Sequence, residues 1–340
     1  MVPMYSHYNP DMTFDIASNS SGQLRLYIPF LNINRTKTLN NGHTTLTVSN
    51  QLISRGNFTE KRGIRIQTDV PVAVFVTLYL SGLTESYLAL PVSFAGKSYM
   101  LAAFEPYNGA YSEALVVSSF TNTIVNITTK RQMTSSESLN WLDAKQIAET
   151  NDISGTDISA NANVSVIAGT TCAHVPHNYT YDCGFIVEQL IPTNAWEKEY
   201  IVPNMPPRTG VLIRVLAHKN QDVCFYTQRG STCKQVLNPQ PLEFSTGSEP
   251  VVVRSNTTIS VMSYGVQGGP FMTVVPGIKN FMNEYHFVVP STYSSFNNSL
   301  AVVIQSAQSS GLILDGASIN SIKHMTSTCH NHLIVTVSLF

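Results

Sequence analysis

Three stretches, GIRIQTDVPVAVF (63–75), GTDISANANVSVI (155–167) and PVVVRSNTTISVM (250–262), align without a gap. The fourth residue of each is apolar: Ile66, Ile158 and Val253. Asp69, Asn161 or Asn256 follows at a turn, and an alternating apolar pair comes next: Val72 and Val74, Val164 and Val166, Ile259 and Val261. Spacing of two residues puts each pair on one face of a strand. Downstream of each lies an apolar segment with a proline, leading to an aromatic strand start. These are LALPVSFAGKSYML, EQLIPTNAWEKEYIV and TVVPGIKNFMNEYHF, with Tyr99, Tyr200 and Tyr285 at equivalent places. A further hairpin follows each one. The period is roughly 85–100 residues, with four short strands per unit.

Strand signals run through the rest of the chain: short β-branched runs such as LRLYIPFLNI, TIVNITT, VLIRVLA and HLIVTVSLF, separated by Gly, Pro, Asn and Ser. SLNWLDAKQIAET (138–150) has apolar residues near helical spacing, yet the segments that align with it read as strands. The expectation is an all-β protein of repeated antiparallel four-stranded units arranged like propeller blades, with tandem or stacked β-sandwiches as the alternative. The units fall near 20–80, 81–170, 171–265 and 266–340.

Hydrophobic residues make up 43% of the 340, enough for a sizeable core, and charged residues only 12%, about half the usual share. Ser, Thr, Asn, Gln or sugar must cover the surface. The net charge of −1 argues against nucleic acid and against polybasic attachment to a membrane. No apolar run reaches the roughly 18 residues of a membrane helix. The opening MVPMYSHYNPDMTF lacks the regions of a signal peptide. The expectation is a secreted or cell-surface protein whose signal lies outside this sequence, with the domain incomplete at both ends.

Five cysteines fall as two close pairs and one more. Cys172 and Cys183 enclose ten residues, and Cys224 and Cys233 enclose eight, so each pair can close across a hairpin. The first pair brackets His174 and His177, which gives C-x-H-x2-H-x5-C. Structural zinc sites usually have a tight cysteine knuckle and a separate His pair, which this spacing lacks. Disulfides are the reading adopted, with unpaired core thiols or a metal as alternatives. Cys329 is left to pair outside the chain, to join a second molecule, or to stay buried and free. Asn-x-Ser/Thr triplets occur at Asn19, Asn34, Asn57, Asn126, Asn163, Asn178, Asn256 and Asn297, and Asn178 lies inside the first cysteine loop.

The segment 164–205 carries a resemblance. A strand runs into Cys172–Ala173, a second cysteine follows at Cys183, and Val187, Glu188, Gln189, Leu190 and Pro192 lead to Trp196 and Tyr200. With GIRIQTDVPVAVF, GPFMTVVPG and LILDG, this pattern resembles the IgG-Fc-binding protein N-terminal domain family, from about Gly22 to the end. Gly269 stands where the family has an aspartate. The resemblance implies an extracellular module of secreted or adhesive proteins, with a glycoprotein, mucus or matrix partner, immunoglobulin-like partners among them.

Catalytic signatures are missing: the sequence has no G-x-S-x-G elbow, H-E-x-x-H, Walker loop or G-x-G-x-x-G. DGASINS lacks the acidic ligands of a calcium loop. A glycosidase needs two carboxylates across a cleft, for which Glu105, Asp182, Glu188 and Asp315 are the acids near turns. Glu188 reads better as a carboxylate bonded to neighbouring backbone N–H groups. Trp196 and Tyr200 read as core, with a sugar groove as the alternative. Phe271 and Met272, in the Gly-rich VQGGPFM, are candidate binding anchors, with packing under the loop as the alternative. The expectation is a non-catalytic binding or adhesion module with no cofactor and no metal. A polymer component, linked through Cys329, and a carbohydrate-active enzyme are the alternatives.

Overall fold

The computed structural model describes residues 11–53, 55–80, 83–178, 183–205, 208–266, 269–289, 298–318, 324–329 and 332–339. The chain divides into two compact units. The first takes in residues 1–196 with 269–274 and 282–288, and the second holds 197–268, 275–281 and 289–340.

Among the described residues the strand pairs within each unit are antiparallel. The first unit opens with β1 (Asp11–Ser18), β2 (Gly22–Ile28), β3 (Ile33–Leu39), β4 (Gly42–Val48), β5 (Phe58–Glu60), β6 (Arg65–Thr68), β7 (Ala73–Leu80) and β8 (Leu83–Ala89). All but β5 form sheets of order β4-β1-β7-β8 and β3-β2-β6. Then come β9 (Gly96–Met100), β10 (Ser112–Ser118), β11 (Thr123–Thr128), β12 (Thr134–Leu139), β13 (Ala144–Glu149), β14 (Asp157–Ala173) and β15 (Gly184–Gln189). Their sheet runs β12-β11-β14-β10-β13-β5, with β9 and β15 also on β14. In the second unit, β16 (Glu197–Val202), β17 (Val211–Leu216), β18 (Gln221–Thr227), β19 (Gly230–Val236), β20 (Leu242–Ser245) and β21 (Val251–Gly265) form a sheet of order β19-β18-β21-β17-β20, with β16 on β21. The short β22 (Met272–Val274) follows. β23 (Asn298–Gln305), β24 (Ile313–Leu314), β25 (Ala317–Ser318), β26 (His324–Cys329) and β27 (His332–Leu339) complete the chain, in order β23-β27-β26 with β24 and β25 as a separate pair.

A propeller blade is a meander in which consecutive strands are neighbours. The orders β4-β1-β7-β8 and β19-β18-β21-β17-β20 are not meanders, and the pairings do not show a propeller. Long strands serve two sets of partners instead. The first half of β14 pairs with β11 and β9, and its second half with β10 and β15. β21 divides its length in the same way, between β18 and β16 and then β17. In the first stretch the corresponding residues split into β6, on β2, and β7, on β1 and β8.

The ambiguous segment 138–150 is a turn and a strand. In β13 Ala144, Gln146 and Ala148 are buried and alternate with partly or fully exposed neighbours, so period 2 prevails over helical spacing. Met12, Phe14 and Ile16 of β1 pack with Leu24, Leu26 and Ile28 of β2 in the core of the first unit, which Leu115, Ile167 and Val187 join. The aligned tyrosines lock their own strand starts. Tyr99 Oη accepts the Gly96 N–H (2.8 Å) and donates to Val164 O (2.7 Å). Tyr200 Oη accepts the Glu197 N–H (2.7 Å) and donates to Ile259 O. Each follows a 3-10 turn, at Val92–Phe94 and Thr193–Ala195.

Candidate functional site

The Cys172–Cys183 loop lies against the segment 101–111. Thr170 explains why: its Oγ1 accepts the Phe104 N–H (3.0 Å) and donates to Phe104 O (2.9 Å). Tyr107 N–H donates to Cys172 O (2.8 Å), and Tyr111 N–H to Thr171 Oγ1 (2.9 Å). Bonded edge to edge, the segment stacks the Tyr107 ring on His174 (4.1 Å between centroids) and Phe104 on His177 (4.6 Å). Phe104 is buried, while Tyr107 is 48% and Tyr111 39% exposed. His177 and Asn178 are exposed beside them. Along this seam Tyr107, Tyr111 and His177 are exposed and His174 is half-buried under Tyr107.

Cys172 and Cys183 are bonded to each other, with Cα atoms 5.2 Å apart. That takes both sulfurs away from the zinc alternative, and ring stacking accounts for the two histidines. Cys224 and Cys233 are bonded across the β18–β19 hairpin, where they face each other in register. Cys329 ends β26, and its side chain lies outside the described residues.

Among the sequon asparagines, Asn19, Asn34, Asn57, Asn178 and Asn256 are exposed and Asn126 and Asn163 half-buried; Asn297 lies outside the described residues. Asn57 is already engaged, since its amide bonds both the N–H and the C=O of Ala148. Of the two candidate anchors, Met272 is 3% exposed and Phe271 half-buried. Pro270 presses on Gly184, where a Cβ would meet Pro270 Cδ at 2.5 Å. Trp196 and Tyr200 are buried.

The acids near turns are tied to backbone. Glu105 accepts the Asp152 N–H (3.0 Å) and Glu188 the Gln189 N–H (2.9 Å) and the more distant Val274 N–H (3.4 Å). Burial nevertheless pushes the Glu188 carboxyl up to about 7. Asp315 sits at φ 50° in the β24–β25 turn, and Asp182 lies outside the described residues. Two buried acids escaped the sequence reading, Asp15 in β1 and Glu113 in β10. Asp15 takes hydroxyl bonds from Thr13, Thr45 and Thr77 and bonds His43 Nε2 at 3.1 Å. The same nitrogen faces the Thr45 hydroxyl, so His43 does not bridge acid and hydroxyl through opposite ring nitrogens as a hydrolase relay does. Glu113 is 1% exposed, both its oxygens lack hydrogen-bond partners, and burial pushes it up to about 9.

The first unit also holds an apolar cleft of about 830 Å3. β6, β7 and their joint supply Ile66, Val70, Val72 and Val74 as one wall, and Leu115, Val117 and Ile167 belong to the other. Trp141 lines it too, stacked on Tyr27 (5.4 Å) and approached by Arg65 (5.9 Å). Only its aliphatic run was visible in sequence; nothing there marks a cleft.

Comparison with known proteins places the chain. It is 23% identical to the human IgGFc-binding protein in an alignment that covers 93% of this chain and 6% of the human protein, so the chain spans a small part of that relative. A solved structure described as "Structural insight into host cell surface retention of a 1.5-MDa bacterial ice-binding adhesin" covers 79% of this chain and 91% of its own, at 8% identity and a TM-score of 0.13. The family model described as IgGFc binding protein matches residues 85–339, three quarters of the sequence. The chain belongs to the IgGFc-binding protein family.

Proposed function

We propose that this chain is an extracellular, non-catalytic module that binds a glycoprotein or matrix protein, with the Fc part of immunoglobulin as the first partner to try. One observation carries the proposal: the disulfide-stapled loop brings His174 and His177 against the segment 101–111, where Tyr107 and Tyr111 are exposed. Exposed aromatics held rigid make good anchors, because they bring a large contact area at little entropic cost. Two bonded cysteine pairs and family membership support the extracellular setting. Exposure supports glycans at Asn19, Asn178 and Asn256, and less so at Asn34, whose amide oxygen accepts from Arg25. The three aligned stretches are copies of one building unit, a reading supported by the matching partners of β14 and β21.

The test is biolayer interferometry of the monomeric chain against immobilised Fc and mucin-type glycoprotein. Saturable binding that weakens about tenfold or more in Tyr107→Ser/Tyr111→Ser, with near-UV circular dichroism unchanged, is the expected result. Binding that the double variant leaves intact, or no saturable binding at all, overturns the reading. The second edge of β6, without a strand among the described residues, favours a second role as a building block of an extracellular assembly.

A further inference from the structure

Besides the split of the first stretch into β6 and β7, the aligned stretches differ in one partner. The first half of β14 has a partner on each side, β11 and β9, and so does the first half of β21, with β18 and β16. β6 is aligned with them but pairs only with β2; among the described residues its other side has no strand. The two filled sites share one register. Tyr99 lies opposite Ile158, and Tyr200 opposite Val253, the aligned fourth residues. Gly96 and Glu197, three residues earlier, lie opposite Val164 and Ile259, whose carbonyls receive the tyrosine hydroxyls.

The same register in the first stretch puts a tyrosine opposite Ile66 and its hydroxyl on Val72 O. Ile66 and Val72 both line the cleft and are half-buried, whereas Ile158, Val253, Val164 and Ile259 are fully buried. The cleft is thus room for a further strand in this register beside β6, a place that no strand takes among the described residues. One end is closed: Gly63 N–H donates to Leu142 O (2.9 Å), where the aligned Gly155 N–H donates to Leu101 O. Since Asp69 N–H bonds Gln23 O, alternation turns the N–H and C=O of Ile66 and Thr68 toward the open side.

A matching donor exists in this chain. After the 3-10 turn Ile278–Asn280, Tyr285 Oη accepts the Met282 N–H (2.8 Å), the bond that Tyr99 and Tyr200 make to their own i−3 amides. Unlike those two, Tyr285 is 59% exposed, and residues 281–289 belong to no strand. We propose that the segment 281–288 of one copy pairs along β6 of a second copy, with Tyr285 opposite Ile66 and its side chain in the cleft. Strand addition satisfies the open backbone groups, and the pocket reads the tyrosine. Donor and acceptor are different surfaces, so the contact is heterologous and propagates head to tail. It does not depend on the ring seam at the Cys172–Cys183 loop binding anything.

The test uses the full chain with Cys329→Ser, so that no association runs through that thiol. Sedimentation velocity across a concentration series should show growing oligomers. Tyr285→Ser, which changes an exposed side chain, and Thr68→Pro, which removes an N–H from the open edge, should each weaken association at least about tenfold. An Ile66→Cys chain mixed with a Tyr285→Cys chain should form a mixed disulfide in a glutathione buffer, and an Asp69→Cys chain should not. A chain that stays monomeric at its highest soluble concentration overturns the proposal. So does association that neither substitution weakens, or cross-linking without preference for Ile66→Cys.

Discussion

Replacing Glu113 by Gln tests the interior of the first unit most sharply. Glu113 is 1% exposed in β10, its carboxyl oxygens have no hydrogen-bond partner, and burial lifts it from 4.5 to about 9. The folded protein therefore keeps this proton over a range where the unfolded chain has released it. Holding more protons when folded means stability falls as pH rises, by roughly 1.4 kcal/mol per unit across the window from 4.5 to about 9. Glu113→Gln has no proton to lose. Its advantage over the parent should be near zero at pH 4.5 and reach about 4 kcal/mol near neutral pH. Urea unfolding followed by tryptophan fluorescence suits the measurement, because Trp141 and Trp196 both belong to the first unit. Parallel stability curves for parent and variant between pH 4.5 and 9 would refute the reasoning, since they would mean that the carboxyl ionises freely in the folded chain.

Tyr99→Phe and Tyr200→Phe each delete a hydroxyl that serves two buried backbone groups, and each should cost about 1–3 kcal/mol in urea unfolding, read by far-UV circular dichroism for the second unit. Tyr285→Phe, at an exposed position, should cost no more than about 0.5 kcal/mol in the monomer. Replacing Cys172 and Cys183 together by Ala opens a ten-residue loop and should lower the stability of the first unit by roughly 3 kcal/mol, measured by the same fluorescence titration.

Sequence made the all-β class legible because period-2 alternation survives in β11, where Val125 and Ile127 are buried and Ile124 and Asn126 are not. Both cysteine pairs were legible for a related reason: a short loop between strands leaves few other partners in reach. Pairing order was not, because alternation says which face a side chain takes and nothing about which strand lies beside it. That is why a propeller was expected where β14 instead serves β11, β9, β10 and β15. The ring seam was half visible. His174 and His177 drew attention as ligand types, but their stacking partners Phe104 and Tyr107 come from 60 or more residues away. Glu113 was hidden in EALVVSSF, where a lone acid at a strand start reads as exposed. Met272 was ambiguous in the opposite sense: a Gly-rich flank suits an exposed loop tip or a residue packed beneath it, and β22 buries the side chain.

Amide hydrogen exchange on the monomer, at a concentration too low for association, tests the shared plan of the three stretches directly. The amides of Ile66 and Thr68 should exchange quickly, while Ile158 and Val253, with a tyrosine strand beside them, should be protected by orders of magnitude more. Ile66 and Thr68 exchanging as slowly as Ile158 and Val253 would contradict it.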